Sequence, residues 1–220
     1  MKISIDGPAA SGKTAVGKSV SNKLNLRFLD TGLMYRAATW LCVKNNIDLD
    51  NIVETTKIVC STSFRPTSEN GETAITINGE IVSRALFTEE INSAVSILAK
   101  IKTVREFLVT QQKFIAKSGY IVMVGRDIGT VVMPDAHPKV FLKASLDVRA
   151  RRRLSEDNLS IDETQFLQIR NNLKARDKID SERKESPLRP AANALLIDTT
   201  EIGIEAVVDT IVGAAKKDVT

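Results

Sequence analysis

The segment after the first predicted strand has the residue types and the spacing of a phosphate-binding loop. It reads GPAASGKT and matches the Walker A pattern G-x-x-x-x-G-K-[ST]. Two glycines let the backbone curl so that its N–H groups, and the N-terminus of the following helix, face an anion. Lys13 can reach the β- and γ-phosphates, and the Thr14 hydroxyl can ligate Mg²⁺. The predicted phosphate-binding residues are Gly7, Pro8, Ala9, Ala10, Ser11, Gly12, Lys13 and Thr14.

Two further groups of side chains indicate a second anionic ligand. Asp30 ends a predicted strand, and Tyr35 and Arg36 lie in the first turns of the helix after it. Tyr35 could pack against a flat base or sugar and Arg36 could bind a phosphate bidentately, although a capped helix with a solvated arginine is also possible. Arg126 and Asp127 follow an apolar run, at the carboxyl end of a predicted central strand, where ligands of open α/β sheets bind.

The basic excess of the chain is concentrated in one segment. The chain has 31 Lys and Arg against 27 Asp and Glu, and residues 143–189 hold 12 basic and 9 acidic side chains. Arg149, Arg152 and Arg153 have i, i+3 and i+4 spacing and so share one face of a predicted helix. This face is either solvated or part of a lid that closes over a bound nucleotide and excludes water, and we favour the lid.

Composition excludes several other classes of protein. With 220 residues, 43% of them hydrophobic and 26% charged, the chain has the composition of a soluble globular protein. A single histidine, His137, leaves little room for histidine-based catalysis, and Cys42 and Cys60 are too isolated for a zinc or redox motif. The first apolar stretch is too short for a signal peptide, so we expect a cytoplasmic protein. The N-K-x-D element of GTPases and the Asp-Glu strand end of motor ATPases are missing from the sequence.

Alternating strands and helices are predicted to position these residues. Apolar runs at 2–6, 27–29, 120–124, 139–142 and 195–197 predict a parallel sheet with helices on both faces. An antiparallel insert is predicted over residues 57–87, with strands at Ile58–Phe64, Glu72–Ile77 and Glu80–Ser83 and an Asn78-Gly79 hairpin. Buried helical stripes follow over 88–99 and 103–117, the second including Phe107 and Phe114. Two polar helices, at about 147–155 and 162–178, lead into a loop over 179–190.

Together these motifs make the chain resemble the bacterial cytidylate kinases, a branch of the nucleoside monophosphate kinases. The resemblance runs from residue 3 to about residue 198. It rests on Ile5-Asp6-Gly7-Pro8, Leu29-Asp30-Thr31-Gly32 with Tyr35-Arg36, Gly125-Arg126-Asp127-Ile128-Gly129-Thr130, Pro134-Asp135-Ala136, and Arg176-Asp177 with Asp180 and Arg183. It implies an α/β P-loop kinase with a five-stranded parallel sheet flanked by helices, a small antiparallel insert and a helical lid.

The resemblance also implies a role for each motif residue. ATP would be the phosphate donor, with Mg²⁺ on Thr14, and CMP or dCMP the acceptor. The implied acceptor-site residues are Thr31, Tyr35, Arg36 and Arg126, with Arg36 and Arg126 on the CMP phosphate. Cytosine would be recognised by Ser96, Arg105 and Asp127, and ribose or phosphate by Arg176, Asp180 and Arg183. Taking these roles together with the phosphate loop and the predicted lid, we predict that the catalytic residues are Lys13, Arg126, Arg149, Arg153 and Arg176.

We expect a single kinase domain over residues 1–220 that acts as a monomer without nucleic acid or membrane partners. Its core would comprise residues 1–56, 100–146 and 190–220, its monophosphate-binding insert 57–99 and its lid 147–189. Two alternatives stay open. One is another small-molecule P-loop kinase, with UMP or dTMP as acceptor. The other is a P-loop protein that binds RNA without catalysis, although 5% aromatic residues leave few platforms for base stacking.

Overall fold

Eight strands and eight α-helices make up the described part of the chain. The computed structural model describes residues 1–69, 72–82, 84–156 and 162–217. The strands are β1 (Lys2–Asp6), β2 (Arg27–Asp30), β3 (Phe64–Glu69), β4 (Glu72–Ile77), β5 (Glu80–Val82), β6 (Ile121–Gly125), β7 (Lys139–Lys143) and β8 (Leu195–Asp198). The helices are α1 (Lys13–Leu24), α2 (Thr31–Lys44), α3 (Ile52–Cys60), α4 (Glu89–Leu98), α5 (Lys102–Ala116), α6 (Leu146–Glu156), α7 (Glu163–Glu182) and α8 (Ile204–Lys216). In the described residues, none of these helices has the length and apolarity required to cross a bilayer.

The predicted five-stranded parallel sheet is confirmed. Its strand order is β2-β6-β1-β7-β8, so the first strand lies in the middle of the sheet. All five residues of β6 are buried, because a central parallel strand is covered on both faces. Helices α1 and α8 contact one another and bury Val16, Val20 and Ile211 with the apolar side chains of the sheet. The carboxyl ends of β1 and β6 are in register at Asp6 and Gly125, so the loops that follow both strands start at neighbouring positions.

The chain forms two compact units. The first comprises residues 1–28 and 119–220, and the second comprises residues 29–118. The predicted core, insert and lid have other boundaries, because they were defined by expected function rather than by compactness, and that division stays a prediction. Positions 70, 71 and 83 of the predicted insert and 157–161 of the predicted lid lie outside the described residues.

The second unit contains the predicted antiparallel sheet, in the order β3-β4-β5. The hairpin at Asn78-Gly79 is confirmed, since both residues have positive φ, as a tight two-residue turn requires. A strand at Ile58–Phe64 was wrong: helix α3 extends to Cys60, and β3 starts only at Phe64. The β-branched residues favour a strand. However, the Asn51 side chain caps the helix by accepting from the Glu54 amide, so capping prevails over propensity.

The buried stripe of α5 also differs from the prediction. Phe114 is 71% exposed, whereas Gln112 is 1% exposed. The buried positions Val104, Leu108, Gln112 and Ala116 repeat every four residues, and this repeat places an amide rather than the aromatic ring inside. The two polar helices after β7 are confirmed as α6 and α7, although α7 extends through Glu182 into the region predicted as a loop.

Gly17 should tolerate no side chain, whereas Gly213 should tolerate one. A Cβ on Gly17 would lie 2.5 Å from Val124 Cγ1 and 2.7 Å from Phe28 Cε2, but a Cβ on Gly213 would meet no atom of the described residues within 4 Å. We expect Gly17→Ala to lower the free energy of unfolding by about 1–3 kcal/mol. The control Gly213→Ala, also within a helix, should raise it by about 0.5–1 kcal/mol. Urea unfolding measures both, and equal effects would contradict the packing.

Candidate active site

The phosphate loop has the backbone shape that anion binding requires. Gly12 has a φ of 89°, and Ala10, two positions earlier, has a φ of 56°. Left-handed residues in such a turn direct successive backbone N–H groups into one concavity. Gly7 is required for another reason, because a Cβ there would collide with the main-chain oxygen of Leu142 on β7. Packing against the sheet therefore requires glycine at position 7, and the conformation of the loop favours glycine at position 12.

Lys13 and Thr14 start helix α1 at the end of this loop. The Lys13 side chain is buried, and its ammonium donates to the Pro8 carbonyl and, at 3.3 Å, to Ser11 Oγ. Both acceptors belong to the loop, so Nζ lies at the concavity. Thr14 is exposed at the first turn of the helix. Among the described residues, no three histidine, cysteine or acidic side chains cluster as metal ligands.

Helix α6 is attached to the phosphate loop by an arginine. The Arg149 guanidinium, 6% exposed, donates to the Ala9 carbonyl at 3.3 Å and to the Ala144 carbonyl at 3.1 Å. It also forms an ion pair with Asp177 of α7 at 2.7 Å. Arg149 was predicted to be catalytic, and its observed contacts hold the loop, α6 and α7 together.

A second arginine of α6 reaches the loop through Thr199. Arg152 donates to both oxygens of Thr199, and the distance to the hydroxyl is 2.9 Å. The Thr199 hydroxyl in turn lies 3.3 Å from the carbonyl oxygen of Ser11 and donates to it. Arg153, the third arginine of the predicted face, is half-buried, whereas Arg151 is exposed. Two arginines of this helix face, Arg149 and Arg152, therefore bind other parts of the protein itself.

Arg126 is paired with Asp180. Its Nε lies 2.9 Å from Asp180 Oδ2, and Arg183 lies 3.5 Å from the other oxygen of the same carboxylate. Burial would raise the pKa of Asp180, but the guanidiniums of Arg126, Arg176 and Arg183 outweigh it and hold the pKa below its usual value. Asp180 is therefore ionised at neutral pH. The structure brings three predicted substrate arginines together around the buried carboxylate of a fourth predicted substrate residue, Asp180.

The residue before the phosphate loop is a second buried carboxylate. Asp6 is 2% exposed, and its two oxygens accept from the backbone amides of Ile128 and Gly129, both at 2.8 Å. Burial raises the pKa of Asp6 to about 6 against these two bonds, and the buried Asp127 nearby adds to the effect. This carboxylate connects the end of β1 to the loop that carries Arg126.

The stability of the protein should depend on Asp6 in a pH-dependent way. Between pH 7 and pH 4 the folded protein takes up a proton at Asp6 near pH 6, whereas the unfolded chain takes it up only near the ordinary aspartate pKa of 3.8. The free energy of unfolding, relative to Asp6→Asn, should therefore rise by up to about 3 kcal/mol as the pH falls through this window. Urea unfolding of both proteins across the window measures this, and a pH-independent difference would contradict it.

The second unit holds the other predicted acceptor residues. Asp30 caps helix α2 by accepting from the Gly32 amide at 2.9 Å, which fixes the start of the helix at the buried Thr31. Farther along α2, the Tyr35 ring lies 5.3 Å from the guanidinium carbon of the buried Arg105. Two residues predicted for base and acceptor binding are thus in contact.

Arg36 and Ser96 lie on elements of the same unit. The Arg36 guanidinium donates to the Leu86 carbonyl at 3.0 Å and to Asn92 Oδ1 at 2.6 Å, and it lies 5.2 Å from the centroid of the Phe87 ring. Ser96 of α4 is buried, and its hydroxyl has no hydrogen-bond partner among the residues that the structure describes. Burying an unsatisfied hydroxyl is costly, which favours a role in binding a polar ligand.

From the sequence, no role was assigned to four residues that bind the site loops or the predicted site arginines. They are Asp6, Asn92, Asp177 and Thr199. A charged residue at the end of the apolar strand β1 was a visible signal for Asp6. Nothing in the spacing connects Asp177 to Arg149 or Thr199 to Arg152, since each pair joins segments that are distant in the chain.

A glycine loop joins the central strand of a parallel sheet to a helix that starts with a buried lysine, and a second, arginine-bearing loop follows the adjacent strand. This arrangement defines a P-loop nucleotide-binding α/β protein.

Comparisons with known proteins specify the class further. The sequence model described as cytidylate kinase matches residues 3–217, so the chain belongs to the cytidylate kinase family. A cytidylate kinase of Geobacillus sp. (strain WCH70) is 41% identical over 211 residues, which cover 96% of this chain and 94% of that protein. One from Shouchella clausii (strain KSM-K16) is 42% identical over 215 residues, 98% of this chain and 96% of that protein.

A solved structure supports the fold. An uncharacterized protein from Eubacterium ventriosum ATCC 27560 superposes with a TM-score of 0.55 at 13% sequence identity. The superposition covers 99% of this chain and 98% of that chain, so the two share their overall architecture.

Proposed function

We propose that the protein is an enzyme that transfers the γ-phosphoryl group of ATP to CMP or dCMP, giving ADP and CDP or dCDP. The observation that carries this proposal is the pair of loops after β1 and β6. One loop is a phosphate cradle with Lys13, and the other carries Arg126 and Asp127 from a strand paired in register with the first. Membership of the cytidylate kinase family supports ATP as donor and a cytidylate as acceptor.

At the donor side, the loop amides and Lys13 would hold the β- and γ-phosphates. The chemistry is largely positioning and charge neutralisation, because the acceptor oxygen belongs to an ionised phosphate and needs no strong base. Mg²⁺ fits this site, since it keeps most of its ligands as water and phosphate oxygens and needs only the exposed Thr14 hydroxyl from the chain. When bound, the ion would neutralise charge on the phosphates.

At the acceptor side, Arg36 and Arg126 would bind the CMP phosphate, with Thr31 and Tyr35 lining the site. Cytosine presents an amine donor beside two acceptors, so a carboxylate such as Asp127 with the guanidinium of Arg105 is a complementary set. The buried Ser96 hydroxyl would complete the recognition of the base.

The remaining predicted residues would act from α6, from α7 and from the residue that follows α7. Arg176, Asp180 and Arg183 would contact ribose or phosphate, and Arg149 and Arg153 would neutralise charge in a lid over residues 147–189. The core and the insert at 57–99 would complete one kinase domain. We also propose a monomer that acts in the cytoplasm, where nucleotides are abundant and where Cys42 and Cys60 would stay reduced.

The proposal is tested by measuring ADP release from ATP when CMP, dCMP, UMP, AMP and dTMP are each offered as the acceptor. We expect turnover with CMP or dCMP far above that with the other acceptors, and its abolition by EDTA in excess over Mg²⁺. Preferred turnover of UMP or dTMP would reassign the acceptor. Salt-sensitive RNA binding without any turnover would instead favour the RNA-binding alternative.

A further inference from the structure

We propose that Asp6 is a positioning residue, whose carboxylate fixes Arg126 and Asp127 relative to the phosphate loop and so couples the donor and acceptor sites. This inference rests on the proposed function, in which Arg126 and Asp127 bind the acceptor.

Asp6 brackets the two acceptor residues from both sides. Its backbone is paired with Gly125 as the last position of the β1–β6 ladder. Its side chain accepts from the amides of Ile128 and Gly129 at 2.8 Å each. Only Arg126 and Asp127 lie between these two attachments. A two-residue segment held at both ends by one residue has few conformations, so little ordering is left for acceptor binding to supply.

The same residue is continuous with the donor site. Gly7, the first residue of the phosphate loop, follows Asp6 directly. A shift of Asp6 therefore moves the start of one loop and the amide anchor of the other together. The loops leave adjacent parallel strands, and the carboxylate extends the connection between those strands beyond the end of the ladder.

Only a carboxylate can make both bonds. Two neighbouring N–H groups need two acceptor oxygens on one planar group, whereas an asparagine has one acceptor and would turn an NH₂ toward the other N–H. Asp6 is nearly inaccessible to solvent, and burying a carboxylate there is costly. The charged groups that face it are Asp127, which disfavours the anion, and Lys13, which favours it.

The anchor also depends on close packing at Gly129. A Cβ on Gly129 would lie 2.8 Å from Ser4 Oγ and 3.4 Å from Asp6 Oδ2. Gly129→Ala should therefore displace the amide that Asp6 holds without changing any group proposed to touch a nucleotide. This gives a second variant that tests the same contact from the opposite side.

The test compares steady-state kinetics for ATP and CMP with the equilibrium affinity for ATP. Wild type, Asp6→Asn, Gly129→Ala and a control, Val208→Ala, are measured at a temperature at which each is shown to be folded. Val208 is buried on α8, so the control loses core packing in the same unit while leaving both loops alone.

We expect kcat to fall by about 10- to 100-fold and the KM for CMP to rise in both loop variants. The Kd for ATP should stay within about threefold of wild type, and Val208→Ala should keep wild-type kinetics. Loop variants with wild-type kcat and KM, or equal losses of ATP and CMP affinity, would overturn the inference. Failure of both loop variants to fold would also overturn it, because Asp6 would then be a residue of the fold. A wild type that turns over neither CMP nor dCMP would instead count against the proposed function.

Discussion

Replacing Lys13 by methionine is expected to lower kcat with ATP and CMP by at least about a thousandfold. The Lys13 ammonium lies at the concavity of the phosphate loop, where it donates to the Pro8 carbonyl and to Ser11 Oγ. Methionine keeps much of the length and apolar volume of the side chain but removes the positive charge. The transferring phosphoryl group would then lose a cation that is positioned before the reaction starts. Initial-rate measurements at saturating ATP and CMP determine the loss.

A lysine on the same helix provides the matched control. Lys18 belongs to α1 but lies more than a turn beyond the loop. Lys18→Met changes the net charge by the same amount and should leave kcat within about threefold of wild type, because Lys18 does not belong to the phosphate loop. Similar losses in the two variants would show that net charge, rather than the position of the Lys13 ammonium, governs the rate.

Replacing Arg126 by alanine is expected to lower kcat/KM for CMP by about 100- to 1,000-fold while changing the Kd for ATP by less than about threefold. The loop that carries Arg126 follows β6, and its guanidinium is held against Asp180 at 2.9 Å. Its loss removes a proposed phosphate ligand and leaves a buried carboxylate with less compensation. Initial rates over a range of CMP concentrations and equilibrium titration with ATP separate the two effects.

Two further variants serve as controls for Arg126→Ala. Arg126→Lys keeps the charge but not the planar fork, so it should recover only part of the lost activity. Arg151→Ala removes an exposed arginine of α6 and should leave the rates unchanged. Equal loss of ATP and CMP binding in Arg126→Ala would indicate a structural role for the Arg126–Asp180 pair. Urea unfolding of the same variants shows how much of the loss reflects stability.

Local sequence patterns predicted the parts of the molecule that local forces dominate. The glycine loop, the apolar strand β6 and the Asn78-Gly79 hairpin each have a signal within a few residues, and each is present in the structure. The patterns failed where two local signals compete. In α3, β-branched residues favoured a strand, but the Asn51 cap and the burial of Val59 favour the helix that forms.

The contacts that hold the candidate site could not be predicted in the same way. Arg149 was interpreted as a lid arginine, yet its partners are the Ala9 carbonyl and Asp177, which lie in two other segments of the chain. Asp6 has partners more than a hundred residues away. Such pairings depend on the order of the strands in the sheet, which brings distant segments of the chain together. A sequence pattern can therefore suggest which residues bind substrate. It is less able to suggest which other residues hold those side chains in position.

The collision between a Cβ on Gly7 and the Leu142 carbonyl shows that the first glycine of the motif has a structural reason that the lysine does not share. Glycine is required at position 7 because a side chain there would collide with β7. The Lys13 ammonium, by contrast, serves to bind a phosphate at the loop. A descendant of this chain that had lost catalysis but kept its architecture should retain Gly7 and let Lys13 drift. The first glycine of the signature is therefore a requirement of sheet packing, and the lysine is a requirement of phosphate binding.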